Sequence, residues 1–337
     1  MTTTNMEMVN EQSRFHEDLP KALFAVFGQG LNSEVASNLD SFYNDKVGRA
    51  VLRNRSGAKA QNVEQVSISV EELTGEKSYT RPNGDAYYSR KWGSHSDVEA
   101  LRQSRSHLFY TMLYGAPGCG KTALVEAAFG DDLYTILGSG DTEVSDLVGG
   151  YVQTLAGGFE WVDGPLVKAA EEGKVLLIDE VGLIDPKVLS IVYGLMDGRK
   201  ELRVTANPER GTVKAKEGFF VVAATNPNAP GVNLSEALLS RFGVQVEMTT
   251  DWTLARKMGV PVQAVTCAQN LAKKQASDEI SWAPQMRELL YFRDVSKAFG
   301  TDWAIANLVA TAPELDRPIV ADVFSRVFGV EVKPARI

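Results

Sequence analysis

Cysteine is nearly absent: Cys119 and Cys267 are the two in 337 residues. That excludes a disulfide framework and a cysteine zinc cluster, and it fits a reducing compartment. Histidine is almost as scarce, with three in the chain and no ligand spacing among them, so His95 reads as a surface or packing residue rather than a metal ligand. Positive charge is also short: 35 Lys and Arg stand against 43 Asp and Glu, a formal net charge of −8. Such a chain is not expected to coat nucleic acid through a basic surface. No apolar run approaches the length of a membrane span. The opening "MTTTNMEMVNEQSRF" has no basic stretch followed by an apolar one. No internal repeat or low-complexity tract stands out. The expectation is a soluble, cytoplasmic protein with no membrane partner. What is plentiful is core material, 44% hydrophobic residues with 23% charged, enough for one large domain or two modest ones.

Residues 1–84 read as an N-terminal extension of mixed α/β character. Within it, "DLPKALFAVFGQGL" has the spacing of a short amphipathic helix, and Lys46, Arg49, Arg53, Arg55 and Lys59 form a locally basic stretch. "SYTRPNGDAYYSRKW" places Pro82-Asn83-Gly84 between β-prone residues, so a hairpin is expected there. Residues 85–250 read as an α/β domain. The short runs "LFYTMLYG", "LYTILG", "KVLLIDE", "FFVVAATN" and "VQVEM" alternate with helical stretches. Runs apolar on both faces suit central parallel strands covered by helices, which predicts a sandwich with crossovers. Residues 251–337 carry helix-period apolar residues in "PVQAVTCAQNLAKKQ", "APQMRELLYFRDVSKAF", "TDWAIANLVATA" and "RPIVADVFSRVF", the pattern of a small all-helical domain.

"GAPGCGKT", Gly115 to Thr122, fits G-x-x-x-x-G-K-[ST] between a strand-like and a helix-like run. Gly115, Gly118 and Gly120 let the backbone curl so that successive N–H groups point at phosphate oxygens. The helix N-terminus adds positive potential. Lys121 would reach the β- and γ-phosphates, and the Thr122 hydroxyl could ligate Mg²⁺. The candidate phosphate-binding set is Gly115, Ala116, Pro117, Gly118, Cys119, Gly120, Lys121 and Thr122, with Ala123 next on the helix. Cys119 occupies a variable motif position and reads as a tolerated small residue, not a catalyst. "KVLLIDE" ends in two carboxylates, which at the carboxyl edge of a parallel sheet would face the phosphates. Asp179 would hold Mg²⁺ through water, and Glu180 would orient and deprotonate the attacking water. "VVAATNP" ends in Asn226, whose amide either contacts the lytic water or γ-phosphate, or simply forms the turn that Asn-Pro marks.

The order of these motifs resembles the AAA+ ATPases, and within them the MoxR-like and dynein-related group of CbbQ/GvpN type. The resemblance spans about residues 85–300 and rests on "GAPGCGKT", "DLVGGYVQTLAGGFEWVDGPLVKAAEEGKVLLIDEV", "ATNPN" and "LSEALLSRF". It implies a P-loop core with a five-stranded parallel sheet between helices and a helical lid. It also implies a ring, usually a hexamer, that hydrolyses ATP between subunits with Mg²⁺. The family's sensor-1 residue falls on Asn226 and its arginine finger on Arg241, which would act on the next subunit's nucleotide. Its sensor-2 arginine falls on Arg287, where the usual tight Ser-Pro-Arg is spread over Ala283, Pro284, Gln285, Met286 and Arg287. The residues just upstream of the phosphate loop, in "SRKWGSHSDVEALRQ", are expected to help form the base pocket.

Two hairpins are read as insertions. "YVQTLAGGFEWVD" turns at Gly157-Gly158; it resembles the family's pore-directed insertion, so Phe159 and Trp161 either meet a substrate or pack on their own domain. "ELRVTANPERGTVKAKEG" turns around Asn207 to Gly211, with Lys214 and Lys216 either lining the pore or solvated. The resemblance implies a motor that remodels or activates a partner protein complex, often through a von Willebrand A domain on a second gene product. A nucleic-acid motor of McrB or helicase type is the alternative, motivated by the 46–59 basic stretch and the hairpin lysines and opposed by the acidic charge. "NPNAPG" lacks the Asn-x-x-Asp expected of the GTP-using McrB type. A nucleotide-gated scaffold with little hydrolysis is the third reading, and the Asp179-Glu180 pair argues against it.

Overall fold

The computed structural model describes residues 77–333, all of them in one compact unit. The helix read in "DLPKALFAVFGQGL", the basic stretch at 46–59 and the rest of the extension through residue 76 lie outside the described residues.

The first described element is the expected hairpin, β1 (Ser78–Thr80) antiparallel to β2 (Ala86–Tyr88). The small ladder β3 (Lys91–Trp92) with β4 (His95–Ser96) leads into α1 (Asp97–Ser106), which Ser96 caps by accepting from the Glu99 N–H. His95 is exposed, as a surface residue.

The core alternates strand and helix: β5 (Thr111–Tyr114), α2 (Lys121–Phe129), β6 (Leu133–Leu137), α3 (Val144–Val148), the hairpin β7 (Gly149–Gln153) with β8 (Phe159–Asp163), α4 (Pro165–Glu172) and β9 (Val175–Asp179). Then come α5 (Pro186–Met196), the hairpin β10 (Glu201–Arg203) with β11 (Thr212–Lys214), β12 (Phe220–Thr225), α6 (Glu236–Leu239) and β13 (Val244–Glu247). The five core strands form one sheet in the order β13-β5-β12-β9-β6, with every pairing parallel. All five apolar runs read from the sequence are its strands. The central strands β9 and β12 are buried almost throughout, while the edge strands β6 and β13 are half-exposed, as expected when helices cover both faces of a parallel sheet.

Helices α7 (Trp252–Lys257), α8 (Val262–Ala276), α9 (Met286–Phe299), α10 (Thr301–Thr311) and α11 (Arg317–Phe328) follow. They enclose a separate apolar core that includes Cys267, Leu271, Leu289, Phe292 and Phe324. Gln285 and Glu288 form a reciprocal capping box at the start of α9, and Gly329 in the left-handed region ends α11.

The register fixes where chemistry can occur. Thr225 lies opposite Tyr114, and Leu137 opposite Asp179. The phosphate loop after β5, the acidic pair ending β9 and Asn226 after β12 therefore leave the sheet along one carboxyl edge, where open α/β sheets bind ligands. Among the described residues, no helix is long and apolar enough to cross a membrane.

Candidate functional site

The loop is shaped by what surrounds it. Gly115 adopts φ +152°, and a side chain there would run into the Met248 carbonyl, so glycine is required. Four of the loop's carbonyls find donors within the chain. Those of Gly115 and Ala116 accept from the Lys121 ammonium at 2.8 and 3.2 Å. The Gly118 carbonyl accepts from the Arg287 N–H at 3.2 Å, and that of Cys119 from the Arg90 guanidinium at 3.1 Å. The N–H groups of Gly118, Gly120, Lys121 and Thr122 have no partner among the described residues. Donors gathered at a helix N-terminus are an anion site. Phosphate oxygens entering it would replace the two carbonyls as partners of Lys121, whose side chain is buried.

Beside the loop, the Thr122 hydroxyl donates to Asp179 at 2.7 Å, and the other Asp179 oxygen accepts from the Glu180 N–H at 3.0 Å. The two oxygens converge at the loop's mouth and fit the protein side of a Mg²⁺ site that is completed by phosphates and water. Among the described residues no three His, Cys, Asp or Glu side chains group to hold a metal ion by themselves. Glu180 has φ +51°. A residue with a side chain pays about 1–3 kcal/mol for such a conformation, and such strain clusters at working sites.

Asn226 is half-buried, and its side-chain Oδ1 accepts from the Asn228 N–H at 3.3 Å. It thus forms the turn read from Asn-Pro. Its amide nitrogen has no described partner, so the same residue still has a donor to offer at the edge. The neighbouring Thr225 hydroxyl is buried and unpartnered.

Arg287 is exposed on the first turn of α9, and its Cβ would lie 3.0 Å from a Cβ added to Gly118. Its own chain therefore brings it against the loop. Arg241 is elsewhere. Val244 pairs with Thr111, the first residue of β5, so Arg241 lies beyond the amino end of the sheet while the loop leaves the carboxyl end. Its guanidinium stacks 3.8 Å from the Tyr193 ring centroid and donates to the Ala237 carbonyl. Its Nε is buried with no partner, and its charge adds a small share to that of Arg199 in holding the Asp197 carboxyl below its ordinary value.

Both insertions are hairpins. In the first, β7 pairs with β8 around a turn closed by Thr154 and Gly158. Phe159 is exposed, whereas Trp161 packs on Tyr151 and donates to Asp163 at 2.7 Å. In the second, Lys214 and Lys216 are both exposed. Arg210, in that hairpin's turn, pairs with Asp163 at 3.0 Å and Glu171 at 2.6 Å.

The sequence reading passed over Arg90. Its guanidinium touches the loop, yet its hydrogen-bond acceptors are backbone carbonyls and a tyrosine, with Asp97 at 3.5 Å, a set that leaves no motif. The only trace was the expectation that residues upstream of the loop contribute to the site. A cavity of about 680 Å³ runs along that segment, lined in part by Arg90, Trp92, Leu124, Met248 and Thr249.

Residues 110–242 match the family model described as the AAA domain (dynein-related subfamily). An uncharacterized protein of Staphylococcus saprophyticus is 34% identical over 167 residues, 47% of this chain and 61% of its own length. The uncharacterized protein YojN of Bacillus subtilis is 39% identical over 139 residues, 39% of this chain and 45% of its own. The chain thus spans less than two thirds of the length of these relatives. Among solved structures, NtrX from Brucella abortus in complex with ADP shares 17% identity at a TM-score of 0.39, covering 72% of this chain and 62% of that one. A likeness at that level carries no functional argument.

Proposed function

We propose that this protein hydrolyses ATP and uses the cycle to remodel a partner protein complex, as a ring motor of MoxR-like type. The observation that carries the hydrolytic reading is the Thr122–Asp179 hydrogen bond of 2.7 Å at the loop's mouth, with Glu180 next in the chain. The loop's N–H groups and Lys121 bind the phosphates, and Arg287 adds positive charge from the same chain. Thr122 and Asp179 would hold Mg²⁺, which would supply neutralisation of phosphate charge. Glu180 accepts the proton of the attacking water, and the Asn226 amide orients that water. Arg241 serves the neighbouring subunit, which makes a ring, by resemblance a hexamer, the active form. The exposed apolar residues Leu155 and Phe159 on the first hairpin support contact with a protein client, recruited through a von Willebrand A domain partner.

Phosphate release by wild type and Glu180→Gln tests this reading. Loss of a general base lowers the rate by about 10²–10⁴, while ATP binding persists. Equal rates in the two proteins would remove Glu180 from the mechanism. The absence of hydrolysis by assembled wild type would favour the scaffold reading instead.

A further inference from the structure

Arg90 is mostly covered, with 12% of its side chain exposed. Burying a guanidinium is costly unless its donors are used, and the chain uses them unusually. Nη1 donates to the carbonyls of Cys119 and Thr249, both at 3.1 Å. Nε and Nη2 donate to the Tyr87 hydroxyl at 3.3 and 3.2 Å. Tyr87 in turn donates to Asp97 at 2.5 Å, and Asp97 accepts from the Arg90 and Val98 N–H groups at 3.0 and 2.9 Å. Asp97, at 3.5 Å from Nε, is the one carboxylate described as paired with this guanidinium. Three segments far apart in sequence thus meet on one forked side chain: the β2 strand, the phosphate loop and the residues just past β13.

The contact with Cys119 has a direct geometric effect. In a trans peptide the carbonyl of one residue and the N–H of the next lie in one plane and point in opposite directions. Holding the Cys119 carbonyl outward therefore turns the Gly120 N–H inward, toward the anion site. Gly120 leaves room for this: a Cβ there would meet Arg90 Nη2 at 3.2 Å, in a backbone at φ +98°. Thr249 shares the same nitrogen, and it is followed at once by Thr250, whose hydroxyl donates to Gln285 at 2.7 Å and accepts from the Met286 N–H at 3.2 Å. Thr249 is thus part of the link to α9.

We infer that Arg90 is a positioning residue for the phosphate loop. It fixes the Cys119–Gly120 peptide jointly with Thr249, and so couples phosphate capture to the placement of the helical segment. The inference rests on the proposal that the loop binds ATP. Only a fork of several donors can do this, so a lysine, with its single compact ammonium, cannot replace it.

The test uses the full chain with Arg90→Ala and Arg90→Lys, and two readouts. In the first, KM for ATP rises about ten-fold in both variants while kcat stays within about three-fold, the size and pattern of losing one charged hydrogen bond that supports ground and transition state alike. In the second, alkylation of Cys119 is compared with that of Cys267, which lies buried in the helical core. Without ATP, Cys119 labelling accelerates about ten-fold and Cys267 labelling does not change. Parallel acceleration of both thiols would mean general destabilisation and overturn the inference, as would unchanged labelling, an unchanged KM, or full rescue by lysine. If Arg90→Ala does not fold, Tyr87→Phe removes the supporting hydroxyl and gives the same selective pattern at about three-fold, or the inference fails. Lys121→Ala separates the two claims. If wild type binds ATP no better than Lys121→Ala, the nucleotide reading falls, while the thiol comparison still decides the role of Arg90.

Discussion

The phosphate loop and the Arg241 corner lie at opposite ends of neighbouring strands, and the chain completes them to different degrees. Around the loop, the carbonyls of Gly115, Ala116, Gly118 and Cys119 all find donors from the same chain. Around Arg241, the guanidinium lies on Tyr193 and one carbonyl, with Nε buried and unpartnered. A buried donor left unpaired costs about 1–3 kcal/mol. The contrast bears on the proposal: the loop's carbonyls are partnered within one chain, whereas the Arg241 corner keeps an unpartnered donor that a neighbouring subunit's nucleotide would fill.

The sharpest way to break this contrast is to mutate both ends. Lys121→Ala is expected to weaken ATP binding at least about 100-fold, because it removes the buried ammonium from the phosphate site. Arg241→Ala is expected to leave binding within about three-fold and to lower hydrolysis by about 10³ or more, the range of arginine fingers. Each variant alone is then inactive, and mixing them restores activity at interfaces that pair an intact loop with an intact arginine. If subunits exchange and no activity returns, Arg241 acts within its own chain and the contrast collapses.

A smaller effect is expected from the ring beneath the finger. Tyr193→Ala removes the face on which the guanidinium is stacked, and cation–π contacts are worth about 0.5–2 kcal/mol. Hydrolysis should fall about ten-fold with ATP binding unchanged, and Tyr193→Phe should restore it. A loss of binding instead would show that the two ends are not independent.

The smallest effect concerns pH. Burial opposes ionisation of Asp163, but Arg210 and the Trp161 indole outweigh it and hold the carboxyl below its ordinary value. A carboxylate so held contributes its full stability above about pH 4, and the contribution is lost as pH falls through the depressed folded value. Asp163→Asn should therefore be less stable than wild type by about 1 kcal/mol or less at pH 7, and by less than that once the pH is below about 4. Denaturant unfolding at the two pH values measures it. An equal gap at both would show that the contact stabilises by packing rather than by charge.

Much of the fold was legible because it is written in local patterns. "KVLLIDE" and "FFVVAATN" are apolar on both faces, so β9 and β12 could only be interior strands. The Thr122–Asp179 contact joins residues 57 apart, yet motif order foretold it, because parallel strands deliver their loops to one edge. Arg90 was illegible for the opposite reason. Its acceptors at Cys119 and Thr249 are backbone atoms 29 and 159 residues away, and any sequence supplies carbonyls. The choice at Asn226 between turn former and water contact was false as posed, since its oxygen makes the turn and its nitrogen remains available. The choice at Phe159 and Trp161 divides between them: both lie on one face of β8, but the indole is anchored to Asp163 and packed on Tyr151, while the phenyl ring nearer the tip stays exposed.

Arg210 gives the two hairpins a shared mechanical root. It grips Asp163 at the foot of the first hairpin and Glu171 on α4 from within the turn of the second. One short turn after Glu171, the chain enters β9, which ends in Asp179 and runs on to Glu180. The two hairpins are therefore tied to each other, and to the helix that leads into β9, by one guanidinium rather than standing as two separate loops.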